Sequence, residues 1–166
     1  MVLSVFKSNI SILTKAATQK LQLLVPSAAD SNLSDGIRAL AAVLLRRTFT
    51  GQWEESWSSI GADMQTELKK SLLELLASVC NDGCSSIVRK RISDCVAELA
   101  RRLVDEAESN KIHPWEDIIN IMLQLAQTNT VAGLETVLNI INQSPGIFGI
   151  LIEKYIDILQ QLLSKS

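Results

Sequence analysis

The sequence predicts an all-α chain, a solenoid of antiparallel helix pairs with about seven helices in all. Two compositional facts and one pattern carry that expectation. Hydrophobic residues make up 47% of the 166 residues while aromatic ones make up only 4%, so the core is aliphatic. Seven Gly and three Pro leave few breakers, and the abundance of Leu, Ala, Glu, Lys and Arg favours helix over strand. Apolar residues recur with helical period nearly throughout.

The elements follow in order. Phe6 to Leu24 reads as a helix with Ile10, Leu13, Ala17 and Leu21 in register, and Pro26 to Asn32 reads as a loop. Ser34 is a good N-cap for a helix reaching Phe49, with Ile37, Leu40, Ala41, Leu44 and Leu45 on its apolar stripe. From Asp63 to Cys80, Leu68, Leu72, Leu75, Leu76 and Val79 share a face, and Asn81-Asp82-Gly83 is a stop signal with a glycine suited to a left-handed cap. Between Ser85 and Asp105, Val88, Ile92, Cys95, Val96, Leu99 and Leu103 read as buried, and Arg89, Lys90, Asp94, Glu98, Arg101 and Arg102 as outer positions. Pro114 suits the first turn of the next helix, whose stripe is Trp115, Ile118, Ile119, Met122 and Ala126. Thr128-Asn129-Thr130 breaks it. Val131, Leu134, Leu138 and Ile141 form the stripe of another, ended by Ser144-Pro145-Gly146, and a last helix carries Phe148, Leu151, Ile152, Tyr155, Leu159 and Leu162.

Helices open near Ser34, Ser85 and Val131, about fifty residues apart, and a second series opens near Asp63, Pro114 and Phe148 between them. That alternation is what a two-helix, HEAT-like repeat produces, each pair burying its apolar surface only by stacking on its neighbours.

Composition narrows function by exclusion. A formal net charge of −2 gives no global pull towards nucleic acid or an anionic membrane, so a charged partner must meet a local patch. No apolar run is long enough to span a bilayer. The odd set Cys80, Cys84 and Cys95 argues against a disulfide framework. With the lone His113 those thiols are too irregularly placed for structural zinc, and no metal or other cofactor is expected. One histidine, no glycine-rich phosphate loop and no nucleophile elbow argue against an enzyme. Residues 1–29 contain Lys7, Lys15 and Lys20 and no acid, the trait of a mitochondrial presequence, yet they lack arginine; a plain amphipathic helix accounts for them equally.

Three stretches resemble the N-terminal HEAT repeats of the importin-β superfamily, in its importin five (karyopherin beta-three) branch. They are Ala41-Ala42-Val43-Leu44-Leu45-Arg46-Arg47; Val96-Ala97-Glu98-Leu99-Ala100-Arg101 continuing to Pro114-Trp115-Glu116; and Ser144-Pro145-Gly146-Ile147-Phe148-Gly149 with Tyr155-Ile156-Asp157. The resemblance covers residues 36–166 as importin-β-like repeats and leaves 1–35 as a divergent N-terminal helix and loop. It implies a nuclear transport receptor acting in the cytoplasm and nucleus, with Ran in its GTP form, nucleoporins and cargo proteins as partners. Members of that family are longer solenoids, so the expectation is a fragment, an isoform or a degenerate relative, whose uncapped end favours self-association.

Seven cations are the candidate contacts for a Ran-like partner: Arg46, Arg47, Arg89, Lys90, Arg91, Arg101 and Arg102. The resemblance places Arg46 and Arg47 on the second helix of a pair, on the wall that faces Ran. Cations ending a helix also complement its dipole, which is a structural use for the same pair. Three cations at the start of the next second helix oppose the dipole, and an acidic partner would give them a reason. Asp94, Glu98 and Asp105 can alternatively pair with the cations along the helix. Trp53, Trp57 and Trp115 are candidate anchors, with packing over the repeat seam the simpler role. The alternative function is a generic HEAT scaffold subunit in a protein complex.

Overall fold

A computed structural model describes residues 2–81, 83–107, 115–147, 149, 152–153, 156, 160 and 164, without the side chains of 2–15 and 81. Six α-helices lie in the described residues: α1 Val2–Ala29, α2 Asp35–Gly51, α3 Ala62–Asn81, α4 Ser86–Glu106, α5 Glu116–Gln127 and α6 Val131–Gln143. Helix α4 packs on both α2 and α6, while α3 packs on α5 and, more lightly, on α1. Consecutive helices therefore form pairs, and the second helices α2, α4 and α6 line up as one layer beside the layer of α1, α3 and α5. This is the all-α solenoid the sequence predicts. The expected Pro114 start and the Phe148, Leu151, Tyr155, Leu159 and Leu162 stripe of the last helix lie outside the described residues, as does His113.

Local chemistry sets the boundaries. The Ser34, Ser85 and Thr130 hydroxyls accept from the N–H groups of Ile37, Val88 and Gly133, capping all three second helices at their N-termini. Gly83 sits at φ +62°, the left-handed conformation a glycine adopts without steric cost. Gly133 is required for a different reason: a Cβ there would lie 2.6 Å from the Leu125 carbonyl oxygen, so the return from α5 to α6 is close-packed.

The loop expected at Pro26 is a correction, because α1 runs through that proline to Ala29. Proline removes one N–H, but Ala28 is fully buried and its carbonyl accepts from Arg38 Nε at 3.1 Å, so packing on α2 holds the extra turn.

Between α2 and α3 the chain forms a π-helical turn, Glu54–Ser58. It places Trp53 and Trp57 in a stack with centroids 5.6 Å apart, with Phe49 edge-on to both. Both indoles are buried, as is Trp115, so none of the three tryptophans is an exposed anchor.

Helix α4 is the axis of the core. Every residue from 92 to 100 is buried, which includes Ser93, Asp94 and Glu98. The expectation that Asp94 and Glu98 are outer positions fails because three helices surround this stretch. The apolar stripes of α2 and α6 are also corrected. On α2, Ala41 and Leu45 point inward with Ala42 and Phe49, whereas Ile37, Leu40 and Leu44 are exposed. On α6, Gly133, Thr136 and Ile140 are buried while Val131, Leu134 and Leu138 face solvent. Small residues let helices approach closely, and Ala41, Ala42, Gly133 and Thr136 occupy the buried faces together with the larger Leu45, Phe49 and Ile140. On α5, Leu125 rather than Ala126 completes the buried face.

Candidate protein-binding face

The second helices present a common face of exposed side chains: Ile37, Leu40, Leu44 and Arg47 from α2, Ile87, Lys90 and Arg91 from α4, and Leu134 and Leu138 from α6. Two grooves run between these helices.

The groove between α2 and α4 is a cleft of about 240 Å³ lined by Val43, Arg46, Arg47, Thr50, Arg91 and Asp94. At its floor is the Asp94 carboxylate, whose side chain is only 5% exposed. One of its oxygens, Oδ2, holds the Arg91 guanidinium at 3.4 Å and that of Arg46 at 4.0 Å. The other, Oδ1, accepts from Asn139 Nδ2 at 2.9 Å and from Gln143 Nε2. Asn139 also donates to Ser93 Oγ at 2.8 Å. A single buried carboxylate thus ties α2, α4 and α6 together, with its lone pairs satisfied.

The groove between α4 and α6 is larger, about 440 Å³, and includes Ile87, Lys90 and Leu138 among its lining residues. Across it Arg89 pairs with Glu135 at 2.8 Å. Arg89 also donates to the Cys84 carbonyl, so the chain itself offsets one of the three cations that oppose the α4 dipole. Among the described residues, no carboxylate pairs with Arg47 or Lys90.

Arg101 and Arg102 stand apart, at the C-terminal end of α4. Arg101 contacts Glu98 and Asp105, both at 2.7 Å. Arg102 contacts Glu98 at 3.3 Å, donates to the Thr50 carbonyl at 2.6 Å and lies 6.0 Å over the Trp53 ring. Trp53 Nε1 in turn donates to Glu106. Burial alone would raise the Glu98 pKa, but the hydrogen bonds and charges of Arg101 and Arg102 outweigh it and hold the carboxyl below its ordinary value.

Of the seven sequence-predicted cations, the structure gathers Arg46, Arg47 and Arg91 around one cleft, sets Arg89 and Lys90 on the next groove, and separates Arg101 and Arg102 from both. Asp94, Asn139 and Gln143 were missed as organisers. The available signal was a cluster of amides, Asn139, Asn142 and Gln143, in the C-terminal half of α6.

Two of the three cysteines, Cys80 and Cys95, are buried. Burial pushes the thiols of Cys80 and Cys95 up, and Cys80 is 3.3 Å from the Thr136 hydroxyl. Among the described residues no helix is long and apolar enough to cross a membrane.

Compared with known families, residues 84–166, half of the chain, match a family described as IPO5-like, TPR repeats. TPR and HEAT repeats are both antiparallel helix pairs stacked in a row, the arrangement seen here.

Proposed function

The chain belongs to the IPO5-like helical repeat family of the importin-β superfamily, and on that premise we propose that it is a protein-binding module of nuclear transport, contacting Ran-GTP through its second-helix face. The observation that carries the reading is the pair Arg47 and Lys90. They are exposed cations on successive second helices of one face, without ion pairs among the described residues, and so keep their charge for an acidic partner. Arg46, Arg89 and Arg91 stand beside them and join by exchanging partners. Arg101 and Arg102 serve the fold instead. We assign residues 36–166 to the repeat region and 1–35 to a divergent N-terminal helix and loop, with helix α1 packed on α2. Nucleoporins and cargo are the further partners this reading entails, with residence in cytoplasm and nucleus.

The test is a pull-down with Ran loaded with GTP or GDP. The GTP form is retained preferentially, and Arg47→Glu with Lys90→Glu weakens retention about tenfold or more, ~1.4 kcal/mol. Equal retention of both forms, or none, counts against the transport reading. It would leave the scaffold alternative, which the exposed apolar rows Ile37-Leu40-Leu44 and Val131-Leu134-Leu138 favour as contact surfaces.

A further inference from the structure

The cleft between α2 and α4 has a chemistry more specific than a basic patch. Its three arginines come from two helices, and two of them converge on a single carboxylate oxygen. Isolated guanidinium groups repel one another; here Asp94 holds Arg46 and Arg91 together. Asp94 is itself held from behind by Asn139 and Gln143, so the two forks are positioned before any ligand arrives. Both remain reachable, with side-chain exposures of 41% and 47%. Nitrogens within 3.4 and 4.0 Å of one oxygen lie close enough together for one tetrahedral anion to bridge them with hydrogen bonds of about 2.8 Å.

We propose that this cleft binds a phosphoryl group carried by a phosphorylated serine or threonine of a partner protein. Three cations and one carboxylate leave the cleft with two uncompensated positive charges, the complement of a phosphoryl dianion. A single carboxylate side chain would neutralise half of that and engage fewer forks. A protein source is favoured over a free phosphate compound by the surroundings. Val43 forms part of the cleft wall, an apolar surface that matches an apolar residue neighbouring the phosphorylated one. The inference does not rest on Ran: a phosphorylated segment is a separate ligand, and failure to bind Ran leaves the cleft and its prediction intact.

The experiment measures fluorescence anisotropy of the full chain with a labelled peptide of about 15 residues, bearing one phosphoserine and a leucine three positions away. Controls are the unphosphorylated peptide and a version with glutamate at the phosphoserine position. The phosphopeptide is expected to bind at least tenfold more tightly than either control. Inorganic phosphate should compete only at concentrations at least a hundredfold above the peptide's. Competition by phosphate as effective as by the peptide would overturn the protein source. Arg46→Lys with Arg91→Lys keeps both charges and removes both forks, and should weaken phosphopeptide binding about tenfold while leaving the controls unchanged.

Asp94→Asn supplies the decisive sign. It makes the cleft more positive yet releases the two arginines, so weaker binding supports a positioned receptor, whereas tighter binding identifies mere charge attraction and overturns it. If Asp94→Asn lowers the melting temperature, the lysine pair at half-exposed positions decides alone. Equal affinity for phosphoserine and glutamate peptides, or unchanged binding in the lysine pair, also overturns the proposal.

Discussion

The two ends of α4 carry the same residue types and use them differently. At the C-terminal end, Arg101 and Arg102 close on Glu98, Asp105, the Thr50 carbonyl and the Trp53 ring, so their charge is compensated from within the chain. At the N-terminal end, Lys90 has no ion pair among the described residues and Arg91 shares Asp94 with Arg46 of α2. A cation cluster in a helical repeat is therefore a clamp or a contact according to how many carboxylates and carbonyls its neighbours supply. The sequence of the cluster does not distinguish the two.

Substitutions sharpen that contrast. The largest effect is expected at the clamp's aromatic floor. Trp53→Ala removes a buried indole stacked on Trp57 and in contact with Phe49, and should cost about 3–5 kcal/mol in urea denaturation. A loss below ~1 kcal/mol would mean that the clamp end is not part of the cooperative core.

Next is Glu98→Gln, which keeps shape and loses charge. Its two arginine partners have side chains 37% and 30% exposed, so solvent screening limits the cost to about 1 kcal/mol. This effect depends on pH with a defined sign. The folded pKa of Glu98 lies below the ordinary value of 4.5, so its contribution is complete above that value and is lost as pH falls through the lower folded one. Thermal melts of the native chain should therefore drop more steeply below pH 4.5 than those of Glu98→Gln. Parallel acid limbs would remove Glu98 from the account.

The smallest stability change belongs to the open end. Arg47→Ala and Lys90→Ala should each shift stability by less than about 0.5 kcal/mol while weakening retention of Ran-GTP. If either costs more than ~1 kcal/mol, that side chain has a structural role and the division between clamp and contact fails.

Much of this was legible in the chain. The N-cap at Ser34, the helix starts near Ser85 and Val131, the stop at Gly83 and the buried stripe of α3 follow from local rules, because a cap or a left-handed turn is settled within a few residues. The family match over residues 84–166 agrees with the resemblance drawn from Val96 to Glu116 and from Ser144 to Asp157. What failed was facing. Hydrophobic periodicity assigns the widest apolar stripe to the interior, but in a stacked layer the positions of the neighbouring helices decide which face of a second helix is covered. Leu40, Leu44, Leu134 and Leu138 are consequently outside, and Ala42, Gly133 and Thr136 inside.

The alternation of helices, their capped starts and the aliphatic core were determined by the sequence alone, since each depends on hydrogen bonds and apolar spacing within one or two turns. Which face of each second helix is buried, and which arginines remain available, was decided only by tertiary structure. Asp94 meets Arg46, Asn139 and Gln143 across 45 or more residues of chain. A carboxylate's partners are set by what surrounds it in space, and three packed helices supply neighbours that no local pattern encodes.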